Sequence, residues 1–123
     1  MVNLVDTVDP NMLFHDRYAY FSSISSVMDR HFSELAATIG DTVLYDEHLP
    51  IVEIGANDGI LLQRLAERTT NAIGIEPSTN VANAARKKGL NIITEFFTPN
   101  LAGSMTDEHG LAQLVVGANV LCH

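Results

Sequence analysis

Ile51-Val52-Glu53-Ile54-Gly55-Ala56-Asn57-Asp58-Gly59-Ile60-Leu61-Leu62 holds the decisive reading of this chain. Pro50 opens a short run of β-branched residues that Gly55 closes, which predicts a buried strand. Five residues later Leu61, Leu62 and Leu65 fall at helical spacing within 60–68, and Thr69-Thr70-Asn71 breaks the pattern. A strand passing through a glycine-bearing loop straight into a helix is the start of a parallel α/β unit. Ligands of such folds sit beyond the carboxyl end of the strand, so the loop is a candidate site by position.

The same alternation continues downstream. Ala72-Ile73-Gly74-Ile75 reads as a second strand, Thr79 to Lys88 as a helix closed by Gly89, and Asn91-Ile92-Ile93-Thr94 as a third strand. A short helix is expected around 101–107, and Leu114-Val115-Val116-Gly117-Ala118 gives a fourth strand. Strands alternating with helices predict a parallel sheet with right-handed crossovers. Upstream, Ile24, Val27, Met28, His31, Phe32, Leu35, Ala36 and Ile39 mark one amphipathic helix, with Gly40 placed to stop it. Residues 1–12 are acidic and irregular, with a turn at Asp9-Pro10, and read as a linker or an entry segment.

Composition narrows the function. The 123 residues hold 7 basic and 15 acidic side chains, for a net charge of −8, which opposes binding to nucleic acid or an anionic membrane surface. Arg86-Lys87-Lys88 is a cationic helix end. Cys122 alone makes neither an intrachain disulfide nor a cysteine-based zinc site, and a reducing cytoplasm is the expected compartment. No leader pattern or apolar run of about 20 residues is present, so a soluble protein is expected. The histidines lack zinc-ligand spacing, and no metal is predicted; His31 is expected in the core.

The ligand class follows from loop chemistry. Gly55 and Gly59 allow close backbone approach, and Asn57 tolerates positive φ. A dinucleotide site calls for Gly-x-Gly-x-x-Gly, but positions 55, 57 and 60 are Gly55, Asn57 and Ile60. Glu53 and Asp58 would repel a pyrophosphate, by roughly 4 kcal/mol for unit charges about 4 Å apart at an effective dielectric of 20. Carboxylates there suit a ligand bearing a sulfonium and an ammonium. Glu76 ends the second strand about 20 residues beyond the loop, where an acidic side chain accepts from ribose hydroxyls. Pro77 then turns the chain, and Ser78 is placed to cap the next helix. Phe96-Phe97 offers an apolar wall for adenine or two core aromatics. Asn119 and His123 follow the fourth strand and should emerge at the edge that holds the loop.

With these stretches in hand, the chain resembles the sugar C-methyltransferases, whose class I methyltransferase domain binds S-adenosylmethionine. The matching segments are Tyr18-Ala19-Tyr20-Phe21-Ser22-Ser23, Glu53 to Gly59, Gly74 to Ala82, Glu95-Phe96-Phe97 and Ala118 to His123. The resemblance implies a Rossmann-like class I methyltransferase core over 13–123: a partial parallel sheet with flanking helices and an N-terminal amphipathic helix. It implies that Glu53, Gly55, Ala56, Asn57, Asp58, Gly59, Glu76, Pro77, Phe97 and Asn119 bind S-adenosylmethionine. It also implies a nucleotide-linked keto-deoxysugar as substrate, with Tyr18 and His123 assisting proton transfer beside the ketone. The family's zinc-binding cysteine cluster and its C-terminal domain have no counterpart here. Two other readings compete: a non-catalytic nucleotide-binding or association module forming a homo-oligomer through an exposed fourth strand, and, ranked last, a nicotinamide-dependent oxidoreductase.

Overall fold

A computed structural model describes residues 8–42 and 46–120. Its elements in chain order are α1 (Pro10–Leu13), a 3-10 turn at Ser22–Ile24, α2 (Ser26–Thr42), β1 (Ile51–Ile54), α3 (Leu62–Ala66), β2 (Ala72–Ile75), α4 (Thr79–Lys87), β3 (Asn91–Ile93), α5 (Pro99–His109) and β4 (Leu114–Val116). The strands form one sheet in the order β3-β2-β1-β4, with every pairing parallel. All four strands fall where the sequence predicts them. β1 lies between β2 and β4 and is buried along its whole length, as its unbroken apolar-type run requires.

Strand alternation sends Ile51 to one face and Val52 and Ile54 to the other. On the first face Ile51 packs with Phe32, Ala36 and Ile39 of α2 and with Ile60, Leu61 and Leu65 around α3. Ala72, Leu62, Ala82, Ala85 and Ile92 continue that layer beneath α4. Gly74 lets α3 settle this close, because a Cβ there would lie 2.7 Å from Leu62 Cδ2 and 2.8 Å from Ala56 Cβ. On the second face Val52, Ile54, Ile73 and Ile75 meet Met105 of α5.

Three local expectations are corrected. α2 runs past Gly40 to Thr42; the missing Cβ of Gly40 makes room for the Arg68 guanidinium, whose Nη1 would sit 2.2 Å from it. His31 is exposed rather than in the core, as are Ile24 and Val27, because the buried stripe of α2 is Phe32, Ala36 and Ile39. α5 is longer than expected. Thr98 caps it by accepting from the Leu101 N–H, and Pro99 takes the first helical position, where its missing N–H costs nothing. No helix among the described residues is long and apolar enough to cross a membrane.

Candidate functional site

The loop after β1 is built on its backbone. The N–H groups of Gly55 and Ala56 both donate to the Ile75 carbonyl, at 2.8 and 3.0 Å, so the loop is welded to the end of β2. Gly55, Asn57 and Gly59 have φ of 70°, 50° and 82°. A Cβ on Gly55 would lie 2.4 Å from Cγ2 of Val120. The segment after β4 therefore packs directly against the loop, and Asn119, with φ 56°, stands at that edge beside it.

Glu76 organises the neighbouring strand end. It is buried, and its Oε2 accepts the Asn57 N–H at 3.0 Å while Oε1 accepts the Ser78 N–H at 2.8 Å. Glu76 thus holds the backbone of Ser78 at the start of α4, whereas the Ser78 hydroxyl expected to cap that helix makes no cap bond and is buried without a partner. A carboxylate has about four lone-pair positions, so two remain for further donors. Pro77, half-buried, follows and leads into α4.

The side chains of Asn57 and Asp58 turn away from the loop's interior toward the segment that precedes α2. Asn57 Oδ1 accepts the Ser22 N–H at 2.9 Å, and its Nδ2 donates to the Tyr20 carbonyl at 3.0 Å. Asp58 accepts the Ser23 N–H at 3.2 Å and the Ser23 hydroxyl. Lys88 Nζ reaches over from the end of α4, 2.7 Å from the Asp58 carbonyl and 3.5 Å from its carboxylate. Asn80 Nδ2 donates to the Tyr18 carbonyl at 2.7 Å. These contacts bring Tyr18 near Glu76. Burial, the Glu76 charge and then Tyr20 raise the Tyr18 phenol above its ordinary value, so at neutral pH it is a proton donor.

Glu53 sits beneath the loop and is almost wholly buried. Desolvation pushes its carboxyl up to about 8; a backbone hydrogen bond from Leu62 offsets part of this, and the Glu76 charge adds to it. Its Oε2 has no partner. The electrostatics thus differ from the sequence expectation of two free carboxylates: Glu53 carries a proton at neutral pH and Asp58 is paired with Lys88, leaving Glu76 as the carboxylate at the strand end.

The other nominated residues divide. Ala56 is buried and Gly59 fits against Leu90 and Ala85 under α4. Phe97 lines a shallow apolar cleft on the α5 face with Pro50, Val52, Ile73 and Met105, away from the loop, whereas Phe96 meets Phe14 edge-on at 6.2 Å. His123 lies outside the described residues. Among the described residues no group of His, Cys, Asp and Glu side chains is arranged to hold a metal. Sequence reasoning missed the anchoring by Ser22, Ser23 and Asn80; the only signal was the serine cluster after Tyr20.

Comparison with solved structures settles the architecture. Magnesium protoporphyrin IX methyltransferase from Synechocystis PCC 6803 with bound S-adenosylmethionine superposes with a TM-score of 0.55 at 17% identity, over 76% of this chain and 45% of that one. The fold is that of the class I methyltransferases. A second class I-fold relative, an S-adenosylmethionine-dependent methyltransferase from Anabaena variabilis, gives a TM-score of 0.53 at 20% identity, covering 65% of this chain and 35% of its own. By sequence, the C-methyltransferase NovU of Streptomyces niveus is 26% identical over 123 residues, all of this chain, and the chain spans 29% of that relative's length. No family model matches the chain.

Proposed function

We propose that this chain is the cofactor-binding part of an S-adenosylmethionine-dependent methyltransferase that methylates a carbon of a nucleotide-linked keto-deoxysugar. The observation that carries the reading is the juxtaposition of the positive-φ loop at Gly55 to Gly59 with a Glu76 carboxylate that keeps two lone-pair positions open at the end of β2. The residues fit the cofactor on this chain's own evidence: buried polar atoms without partners at Glu53 Oε2, Ser78 Oγ and Asn80 Oδ1, around a loop whose Gly55, Asn57 and Gly59 hold positive φ.

Gly55, Ala56, Asn57 and Gly59 would hold the methionine part through loop backbone, Glu76 the ribose hydroxyls, and Pro77 and Asn119 the flanks; Glu53 and Asp58 support the loop from below and behind. The bound cofactor supplies an electrophilic methyl group on a sulfonium. Tyr18, held protonated, would donate a hydrogen bond to the substrate oxygen that gains negative charge when the proton beside the ketone leaves. His123 is the nominated base. The sugar assignment rests on the sequence resemblance, transfer to carbon on that resemblance and on the likeness to the C-methyltransferase NovU, and cytoplasmic residence on the lone cysteine.

The association reading has one specific support, the outer edge of β4, where Val115 is 55% exposed. Sedimentation separates it from the enzyme reading: a concentration-dependent dimer abolished by Val115→Lys favours association through this strand. Calorimetric titration with S-adenosylmethionine, S-adenosylhomocysteine and NAD tests the leading proposal. Saturable binding of both S-adenosyl ligands, lost in Glu76→Ala and absent for NAD, supports it; a folded chain that binds neither overturns it.

A further inference from the structure

The segment from Phe14 to Ser25 has little regular structure, yet it is tied down at five points along its length. The Phe14 ring meets Phe96, the Tyr18 carbonyl accepts from Asn80, the Tyr20 carbonyl accepts from Asn57, the Ser22 N–H donates to Asn57, and Ser23 bonds Asp58 through both backbone and hydroxyl. Asn57 and Asp58 are buried, so releasing the segment would leave their polar atoms to be satisfied by water in a tight space. The segment has few apolar anchors of its own, since Tyr20 and Ile24 are exposed. Its order therefore depends on polar side chains of the loop and of α4.

We propose that residues 14–25 are a strap whose seating is coupled to ligand binding, with Ser23, Asp58 and Asn80 as positioning residues. This rests on the cofactor reading given above. The coupling runs through one hydrogen-bonded chain: Glu76 accepts the Asn57 N–H, and the Asn57 side chain holds Ser22 and Tyr20. A ligand whose hydroxyls engage Glu76 stiffens Asn57, and Asn57 holds the strap that brings Tyr18 toward Glu76. By reciprocity, whatever factor the ligand adds to strap seating is the factor that strap release removes from ligand affinity.

Arg17 is exposed in the middle of the strap and gives a tryptic site that reports its opening. The experiment digests the full chain with limiting trypsin, with and without S-adenosylhomocysteine, and follows cleavage after Arg17 against cleavage after Arg86 in α4 by mass spectrometry. In the unmodified chain the ligand should slow cleavage after Arg17 by about fivefold or more. The Ser23→Ala, Asn80→Ala double variant should speed that cleavage without ligand, leave cleavage after Arg86 unchanged, and weaken S-adenosylhomocysteine by a matching factor. Ser23→Thr, which keeps the hydroxyl, should stay near the unmodified values. Equal acceleration at both sites, an unchanged rate after Arg17, or undiminished affinity in a variant whose strap has opened would each overturn the strap. If S-adenosylhomocysteine fails to bind the unmodified chain, the cofactor reading falls and the coupling falls with it; the ligand-free rates still decide whether the anchors hold the segment.

Discussion

On one face of the sheet Leu61, Leu62 and Leu65 are fully buried beneath α2, α3 and α4, with Gly74 cleared to admit Leu62. On the other, α5 is the helix that covers the strands among the described residues, Phe97 is 44% exposed and Val115 more so. The first face is where the loop, Glu53 and the strap are supported, over a layer of fully buried side chains. The second contributes burial, the Val120 contact with Gly55 and, of the nominated side chains, Phe97, which lines the cleft on the α5 face. The deepest burial in this chain therefore lies under the loop after β1, the region proposed to hold the cofactor.

Truncating each face gives the largest expected contrast. Leu62→Ala should cost about 3–4 kcal/mol in urea unfolding, because the cavity lies between three elements that cannot collapse together. Met105→Ala, in the thinner layer, should cost roughly half as much; equal costs would break the comparison. The next effect is in pH. The folded chain holds the Glu53 proton up to about 8, while an unfolded carboxyl releases it near its ordinary value of 4.5. Stability should therefore fall as pH rises between these values, and Glu53→Gln should remove that slope, for a relative gain of roughly 4 kcal/mol at pH 9 compared with pH 5. A parallel slope in both proteins would show that Glu53 is ionised when folded.

Gly55→Ala places a side chain at positive φ against Val120, and should cost about 1–2 kcal/mol and abolish S-adenosylhomocysteine binding by calorimetry. Retained binding would show that the loop backbone does not approach the ligand. The smallest effect belongs to the open edge: Val115→Lys should change thermal stability by less than about 0.5 kcal/mol while leaving cofactor affinity intact.

The alternation of strand and helix was legible because each strand is a short run rich in β-branched residues, and three of them are closed within two residues by Gly55, Pro77 or Gly117; the glycine-bearing loop announced the candidate site. Thr98-Pro99 also announces a helix start, a signal that the expected boundary at 101 overlooked. What could not be read is tertiary. Asn57 and Asp58 look like ligand residues from their place in the loop, but their side chains bond Ser22 and Ser23 across a sequence separation of 35. No periodicity records such a contact. Nor does residue type reveal that Glu53 is uncharged, since burial and not identity sets its proton affinity. His31 shows the same limit, having apolar spacing on a helix whose narrower stripe leaves it in solvent.

The sheet order also sets a timetable for folding. Ile51 pairs with Ala72 on one side and with Leu114 on the other, so the second pairing must close a loop roughly three times as long. That difference adds only about 1 kcal/mol of closure entropy, but it falls on a parallel pairing that gains nothing until both ends are in place. β4 should dock last, onto a three-stranded unit in which the loop's bonds to Ile75 and Glu76 are already made. The Val120 contact that closes over Gly55 would then be the final step of folding, so the last surface to form borders the loop proposed to hold the cofactor.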